Sequence, residues 1–327
     1  MSMEHEPIEN RPEYSRNLGF WSREEQAALC DSTVALGGAG GDGFQLGMKL
    51  AQMGVQRFRL ADPEVFEPEN SNRVPGATQS NMGRNKAEVL AETILDLRPD
   101  AEVVVYKEGL TVDNIEEFVH GADLTIDETE LTYPEIGTAL AREARKNNIP
   151  NLFVMNIGFA AVATSFAPGS LHSFERMMGL PEGAPLDEIA EQSVDFSRCL
   201  PYIPAYADLD TLRALTQDDK EGALTVDETA EDSSKRLKVS LPSIAPGVDL
   251  ASAMGSTEAF LHLARDAANK RRQPTWAPTF RYMDAYSGSA GTVPNARLGY
   301  YAGILTMATR SKLGVNPKAS YGEYLAQ

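Results

Sequence analysis

The chain has 327 residues, 42% of them hydrophobic, which is long and apolar enough for one large packed domain or two modest ones. Its 47 acidic residues outnumber 30 Lys and Arg, giving a net charge of −17 that repels phosphate backbones and anionic membranes, so neither nucleic acid nor membrane is expected as a partner. Two cysteines, Cys30 and Cys199, and four scattered histidines offer no CxxC pair and no zinc-ligand spacing, so no zinc is expected.

Residues 1–15 read as a polar arm. Ser22 with Glu25 three residues on forms a capping box that starts a short helix over 22–29. A strand over 32–36 runs into glycines, and helical spacing follows over 43–53. A strand over 56–61 ends at Asp62. A helix is predicted over 82–97, a strand over 102–106, a short helix over 112–120 and a strand over 122–126 that ends at Asp127. A helix over 134–146 and strands over 151–155 and 159–166 complete the first half. The alternation predicts an α/β fold: a Rossmann-like, mostly parallel sheet with helices on both faces.

Beyond Phe166 the character changes. Residues 168–204 are rich in Pro, Gly and Met, with an acidic helix near 187–192, and 218–234 read as an acidic, solvated loop. Helical periodicity returns over 246–268, where Gly255 and Ser256 permit close packing. A strand is expected at 279–284 and a last helix at 298–313. The expected divisions are an arm and helix (1–31), a nucleotide-binding domain (32–166), a divergent crossover or substrate region (167–241), and a C-terminal helical portion (242–327) packed on the same domain.

The chemistry concentrates after the first strand. Gly38-Ala39-Gly40-Gly41-Asp42-Gly43 fits G-x-G-x-x-G between a strand and a helix, where glycines let the backbone approach phosphates and a helix N-terminus offers free N–H groups. Asp42 inside that loop is awkward, since a carboxylate repels phosphate; it either points away to cap the helix or marks a changed site. Asp62, about 20 residues further on, is placed to accept both ribose hydroxyls and disfavours a 2′-phosphate. Asn70, Arg73 and Lys86 follow. Arg73 and Lys86 supply two cations and Asn70 a polar contact; a dehydrogenase has no use for such cations, whereas an adenylating enzyme must hold a triphosphate.

Together these residues resemble the family of ThiF, MoeB and ubiquitin-activating E1 enzymes: glycine loop, Asp, N-x-x-R, G-x-x-K, then an acidic D-x-x-D. Here the pattern falls on Gly38, Gly40, Gly41 and Gly43, on Asp62, on Asn70 with Arg73, on Gly83 with Lys86, and on Asp127 with Glu130. The likeness covers about 14–166 and, less clearly, 242–263. It implies ATP and Mg²⁺ as cofactors, with Asp127 and Glu130 as metal ligands. It also implies adenylation of a carboxylate on a ubiquitin-like protein or peptide. Tyr14-Ser15-Arg16-Asn17 is similar to the family's Y-x-R-Q, which makes Arg16 a finger reaching a neighbour's site and implies a homodimer. Residues 242–247 resemble the start of the family's dimer-forming helix.

Three features depart from the family. Glu130 stands where the family carries Asp, the zinc CxxC pairs are missing, and the region after Phe166 diverges. Cys199 beside Arg198 is either an acyl acceptor or a buried hydrophobe; Cys30 is expected to be structural and His172 to be a bystander. The two other readings are a nucleotide-binding scaffold that has lost catalysis and an NAD-dependent oxidoreductase. A polar N-terminus and the lack of any long apolar run make the cytoplasm the expected compartment.

Overall fold

The computed structural model describes residues 11–195, 243–264 and 272–294. The acidic stretch at 218–234, Cys199 and the helix expected at 298–313 lie outside the described residues.

Eight strands form one sheet in the order β3-β2-β1-β4-β5-β6-β7-β8. β1 (Thr33–Gly37), β2 (Arg57–Ala61), β3 (Glu102–Tyr106), β4 (Leu124–Asp127) and β5 (Asn151–Ile157) run parallel. β6 (Ala160–Phe166), β7 (Thr279–Asp284) and β8 (Ser289–Pro294) extend the sheet antiparallel. The order reverses between β1 and β4, so the C-terminal ends of these strands open a crevice of the kind in which α/β folds bind ligands.

Helices cover both faces, as alternation along the strands requires. Val34 and Leu36 of β1, with Leu152 and Val154 of β5, belong to one core cluster. It is closed by α1 (Arg23–Cys30), α2 (Gly41–Met53), α3 (Lys86–Leu97) and α8 (Ala245–Leu263). Ala35 faces the other way, towards α4 (Ile115–Val119) and α5 (Pro134–Lys146). Phe153 packs with Phe174 of α6 (Phe174–Met178), and Ile189 of α7 (Leu186–Ala190) joins that same cluster.

The capping box at Ser22 and Glu25 is present, with both bonds made. Gly255 of α8 is required by close packing: a Cβ there would lie 2.5 Å from Leu46 and 2.9 Å from Val154. α8 is bound to β7 through Glu258, fully buried, which pairs with Arg272 (2.7 Å) and Arg281 (3.3 Å) and accepts from the Thr275 N–H (2.8 Å). Cys30 is buried beside Gln26, consistent with a structural role. No helix among the described residues is long and apolar enough to cross a membrane.

Several boundaries differ from the sequence reading. The helix expected from 82 begins at Lys86, because Asn85 is its N-cap and accepts from the Glu88 N–H, while 79–81 form a separate 3-10 turn. The helix after the glycines starts at Gly41, inside the motif. α6 and β8 have no counterpart in the predicted elements: α6 has five residues, too few for a helical period to show, and β8 is built of small and polar residues that give no strand pattern.

Candidate functional site

The glycine loop links β1 to α2 at the point where strand order reverses. Its glycines serve different needs. Gly38 has φ +98°, and a Cβ on it would sit 2.1 Å from the Glu128 carbonyl oxygen; a Cβ on Gly43 would sit 2.1 Å from the Gly38 carbonyl oxygen. These two are demanded by packing of loop, helix and β4 end. A Cβ on Gly41 would come 3.0 Å from Val248 of α8. A Cβ on Gly40 would meet nothing within 4 Å, so the side of the loop open to a ligand is there.

Asp62 is 5% exposed and ties the loop to β2. Its Oδ2 accepts from the Ala39 N–H (2.7 Å) and its Oδ1 from the Glu64 N–H (2.8 Å). Burial raises its pKa, opposed by the Lys86 ammonium and these two bonds.

Lys86 is 5% exposed and pairs with Glu64 at 2.5 Å. It is the first residue of α3, where a cation opposes the helix dipole, and buried lysine is rare. A position costly on two counts and adjacent to Asp62 fits a residue kept for a ligand. Glu64 was not singled out by the sequence reading, in which it was one acid among several.

Asn70 lies within a 3-10 turn, Pro68–Asn72, and Arg73 follows it as the C-cap. Asn70 is buried and its Oδ1 accepts from the Glu67 N–H (3.0 Å), so at least part of its role is to shape the turn. Arg73 donates to the Glu69 carbonyl (3.0 Å) and to Asn72 Oδ1 (2.8 Å), and its charge reaches Asp42.

Asp42 does point away from the loop's open side, but it caps no helix. Both oxygens accept from Asn156 at the end of β5: Nδ2 at 3.0 and 2.9 Å, the backbone N–H at 3.1 Å. Burial pushes its pKa up to about 7, against the pull of Asn156 and Arg73. Asp127 (1% exposed) is likewise pushed up to about 6 by burial. The Glu128 carboxyl is raised well above the usual range by burial and by the like charges of Asp42 and Asp127. At a pH below their raised values these carboxyls hold protons, which lessens the negative charge under the loop. Glu128 was missed as a site residue because nothing in its sequence context places it over Gly38.

The Asp42 shift carries a stability prediction. The folded carboxyl titrates near 7 and the unfolded one near 3.8, so folding holds a proton that the unfolded chain releases first. Stability from this group is therefore lost as pH rises from about 4 to about 7. Asp42→Asn removes the penalty. Its stability relative to wild type should grow by about 2 kcal/mol between pH 5.5 and 8.5, measured by urea unfolding. A difference that does not change with pH would show that Asp42 titrates normally.

Asp127 has one carboxylate oxygen engaged, while its buried Oδ2 has no hydrogen-bond partner among the described residues. Its Oδ1 accepts from the Thr129 hydroxyl (2.7 Å) and N–H (3.1 Å), and a Cβ on Gly137 of α5 would lie 3.0 Å from its buried Oδ2, so that oxygen faces α5. Glu130 is exposed. Among the described residues no three His, Cys, Asp or Glu are grouped to hold a metal.

Arg16 is exposed and lies outside this cluster. The turn before it docks by Tyr14 against Gly54, at the C-terminal end of α2. The glycine loop is at the other end of that helix, about 18 Å away. His172 lines a small cavity with Arg142, Arg145 and Phe166, away from the loop.

The profile described as the ThiF family matches residues 14–299. Among curated relatives, the tRNA threonylcarbamoyladenosine dehydratase of Bacillus subtilis is 32% identical over 47% of this chain and 60% of its own length. The protein of the same name from Escherichia coli is 32% identical over 43% of this chain and 52% of its own. The sulfur carrier protein ThiS adenylyltransferase of E. coli is 28% identical over 47% and 62%. The chain thus spans little more than half the length of these relatives. Solved structures with the same fold include PaaA, with 14% identity and a TM-score of 0.60 over 90% of this chain and 76% of that one. E. coli MccB with ATP gives 14% and 0.59 over 87% and 71%, and microcin C7 biosynthetic enzyme MccB with N-formylated MccA gives 15% and 0.59 over 89% and 74%.

Proposed function

The chain belongs to the ThiF family, and from that premise we propose that it adenylates a carboxylate on a peptide or ubiquitin-like protein, using ATP. The observation that carries this reading is Lys86, buried at a helix N-terminus beside Asp62 and the glycine loop. An NAD-dependent dehydrogenase sharing the loop and Asp62 has no use for that cation.

In this reading the loop amides, Arg73 and Lys86 hold the triphosphate, and Asp62 meets the ribose. A substrate carboxylate attacks the α-phosphorus. A carboxyl O–P bond forms, the bond from the α-phosphorus to the bridging oxygen breaks, and pyrophosphate leaves with that electron pair. The attacking carboxylate is already ionised at pH 7, so no general base is needed. Lys86 and Arg73 stabilise charge that builds on the departing oxygens.

The net charge of −17 favours a peptide or protein over a tRNA as the bearer of the carboxylate. The resemblance to MccB points the same way, since its solved structures include the peptide MccA. The test is exchange of labelled pyrophosphate into ATP in the presence of candidate carboxylate partners. Partner-dependent exchange supports adenylation. ATP binding with no exchange for any partner leaves a nucleotide-binding scaffold, and nicotinamide reduction without exchange makes the chain an oxidoreductase.

Arg16 lies at the far end of α2 from its own loop, so a role for it in the reaction requires a second subunit. Scattering in solution should report twice the 35.6 kDa chain mass. Mixing Arg16→Ala with Lys86→Ala chains should restore roughly a quarter of wild-type exchange, because half of a random mixture is heterodimer and each heterodimer has one intact site. A monomer, or no restoration, removes Arg16 from the site.

A further inference from the structure

The loop of a phosphate site is a poor place for a carboxylate, and the structure shows what restrains this one. Asn156 holds both oxygens of Asp42 through its side-chain amide (2.9 and 3.0 Å) and its backbone N–H (3.1 Å). The amide is itself fixed, since its Oδ1 accepts from the Ser243 hydroxyl at 3.0 Å. The Ser243 carbonyl in turn accepts from Asn72 Nδ2 at 3.0 Å, and Asn72 Oδ1 accepts from Arg73 at 2.8 Å. One hydrogen-bonded line therefore runs from the loop through the end of β5 and the start of α8 to the arginine expected to meet phosphate. The charged groups facing Asp42 are Arg73 and Glu128. A Cβ on Gly247 would lie 2.0 Å from the Gly158 carbonyl oxygen, so α8 is seated tightly against the turn that follows Asn156.

We propose that Asn156 is a positioning residue for phosphate binding: it turns the Asp42 carboxylate away from the glycine loop, leaving the loop amides and Arg73 to the nucleotide. The inference rests on the nucleotide-binding reading above. Without the Asn156 amide, the Asp42 carboxylate retains one bond, to the backbone N–H, and is free to swing towards Arg73 and the phosphates. Either movement weakens binding of phosphate and leaves binding of the nucleoside unchanged.

The test is calorimetric titration of the full chain with ATP and, separately, with adenosine. Asn156→Ala should weaken ATP binding about tenfold and adenosine binding less than about twofold, because only the first carries charge to the loop. The double variant Asp42→Asn/Asn156→Ala should return ATP affinity to within about threefold of wild type. Exchange assays should show the loss in KM for ATP and not in kcat. If Asn156→Ala does not fold, Ser243→Ala, which frees the same amide, should show a smaller loss with the same rescue by Asp42→Asn. Equal loss for ATP and adenosine, or no rescue, overturns the inference. A wild type that binds no ATP overturns the adenylation reading first and this inference with it; one that binds ATP while Asn156→Ala binds it equally well overturns this inference alone.

Discussion

Lys86→Ala is expected to lower pyrophosphate exchange by about 100- to 1000-fold, the usual cost of removing a charge-stabilising group from a group-transfer site. The fold should survive. Lys86 belongs to an ion pair with the half-exposed Glu64, which can turn to water, and the buried Asp62, which loses a neighbouring cation, keeps its bonds from the Ala39 and Glu64 N–H groups. Removing a cation from a helix N-terminus even relieves a small dipole penalty. Thermal unfolding close to that of wild type, together with lost exchange, is therefore the predicted signature. Exchange that persists within tenfold would move the catalytic cation elsewhere and return Lys86 to a structural role.

The glycines give the second large effect, and they separate folding from binding. Gly38→Ala combines a left-handed backbone with a methyl driven into the Glu128 carbonyl, and Gly43→Ala drives one into the Gly38 carbonyl. Neither obstacle is a flexible side chain, so the loop, the start of α2 or the end of β4 must move. Each variant should lose more than about 3 kcal/mol of stability and all nucleotide binding. Gly40→Ala meets nothing within 4 Å. It should melt like wild type yet bind ATP less well, because the new methyl fills space that a phosphate needs. Equal stability for all three variants would show that the loop is slack.

The parts of this site legible in the sequence are those whose partners are near in the chain or whose geometry is local. The βα turn shows itself by glycine spacing, and Asp62 by its distance from that loop. The Asn156 contact with Asp42 joins residues 114 positions apart and carries no local signature. Sequence therefore showed Asp42 as a contradiction without showing what relieves it. Asp127 is expected as a metal ligand from a motif; that Thr129 holds its Oδ1 is something spacing does not reveal. The start of α3 was misjudged because Met82 fits the apolar rhythm, while the N-cap bond of Asn85 decides the boundary. The antiparallel end of the sheet was half visible: β7 reads as a strand, but β8 is too polar and too small-residued to register as one.

That antiparallel end has a consequence for how the chain is made. β6 pairs with β7 across more than a hundred intervening residues, and α8 lies against α2, β5 and β6. During synthesis the five parallel strands and their own helices emerge first, and the sheet face that α8 covers stays bare. At about 5 to 20 residues per second, some 100 residues of further translation occupy several seconds before that face can close. The nascent chain thus passes through a nearly complete sheet with an open apolar side and an open edge, the state most exposed to aggregation or to capture by a chaperone.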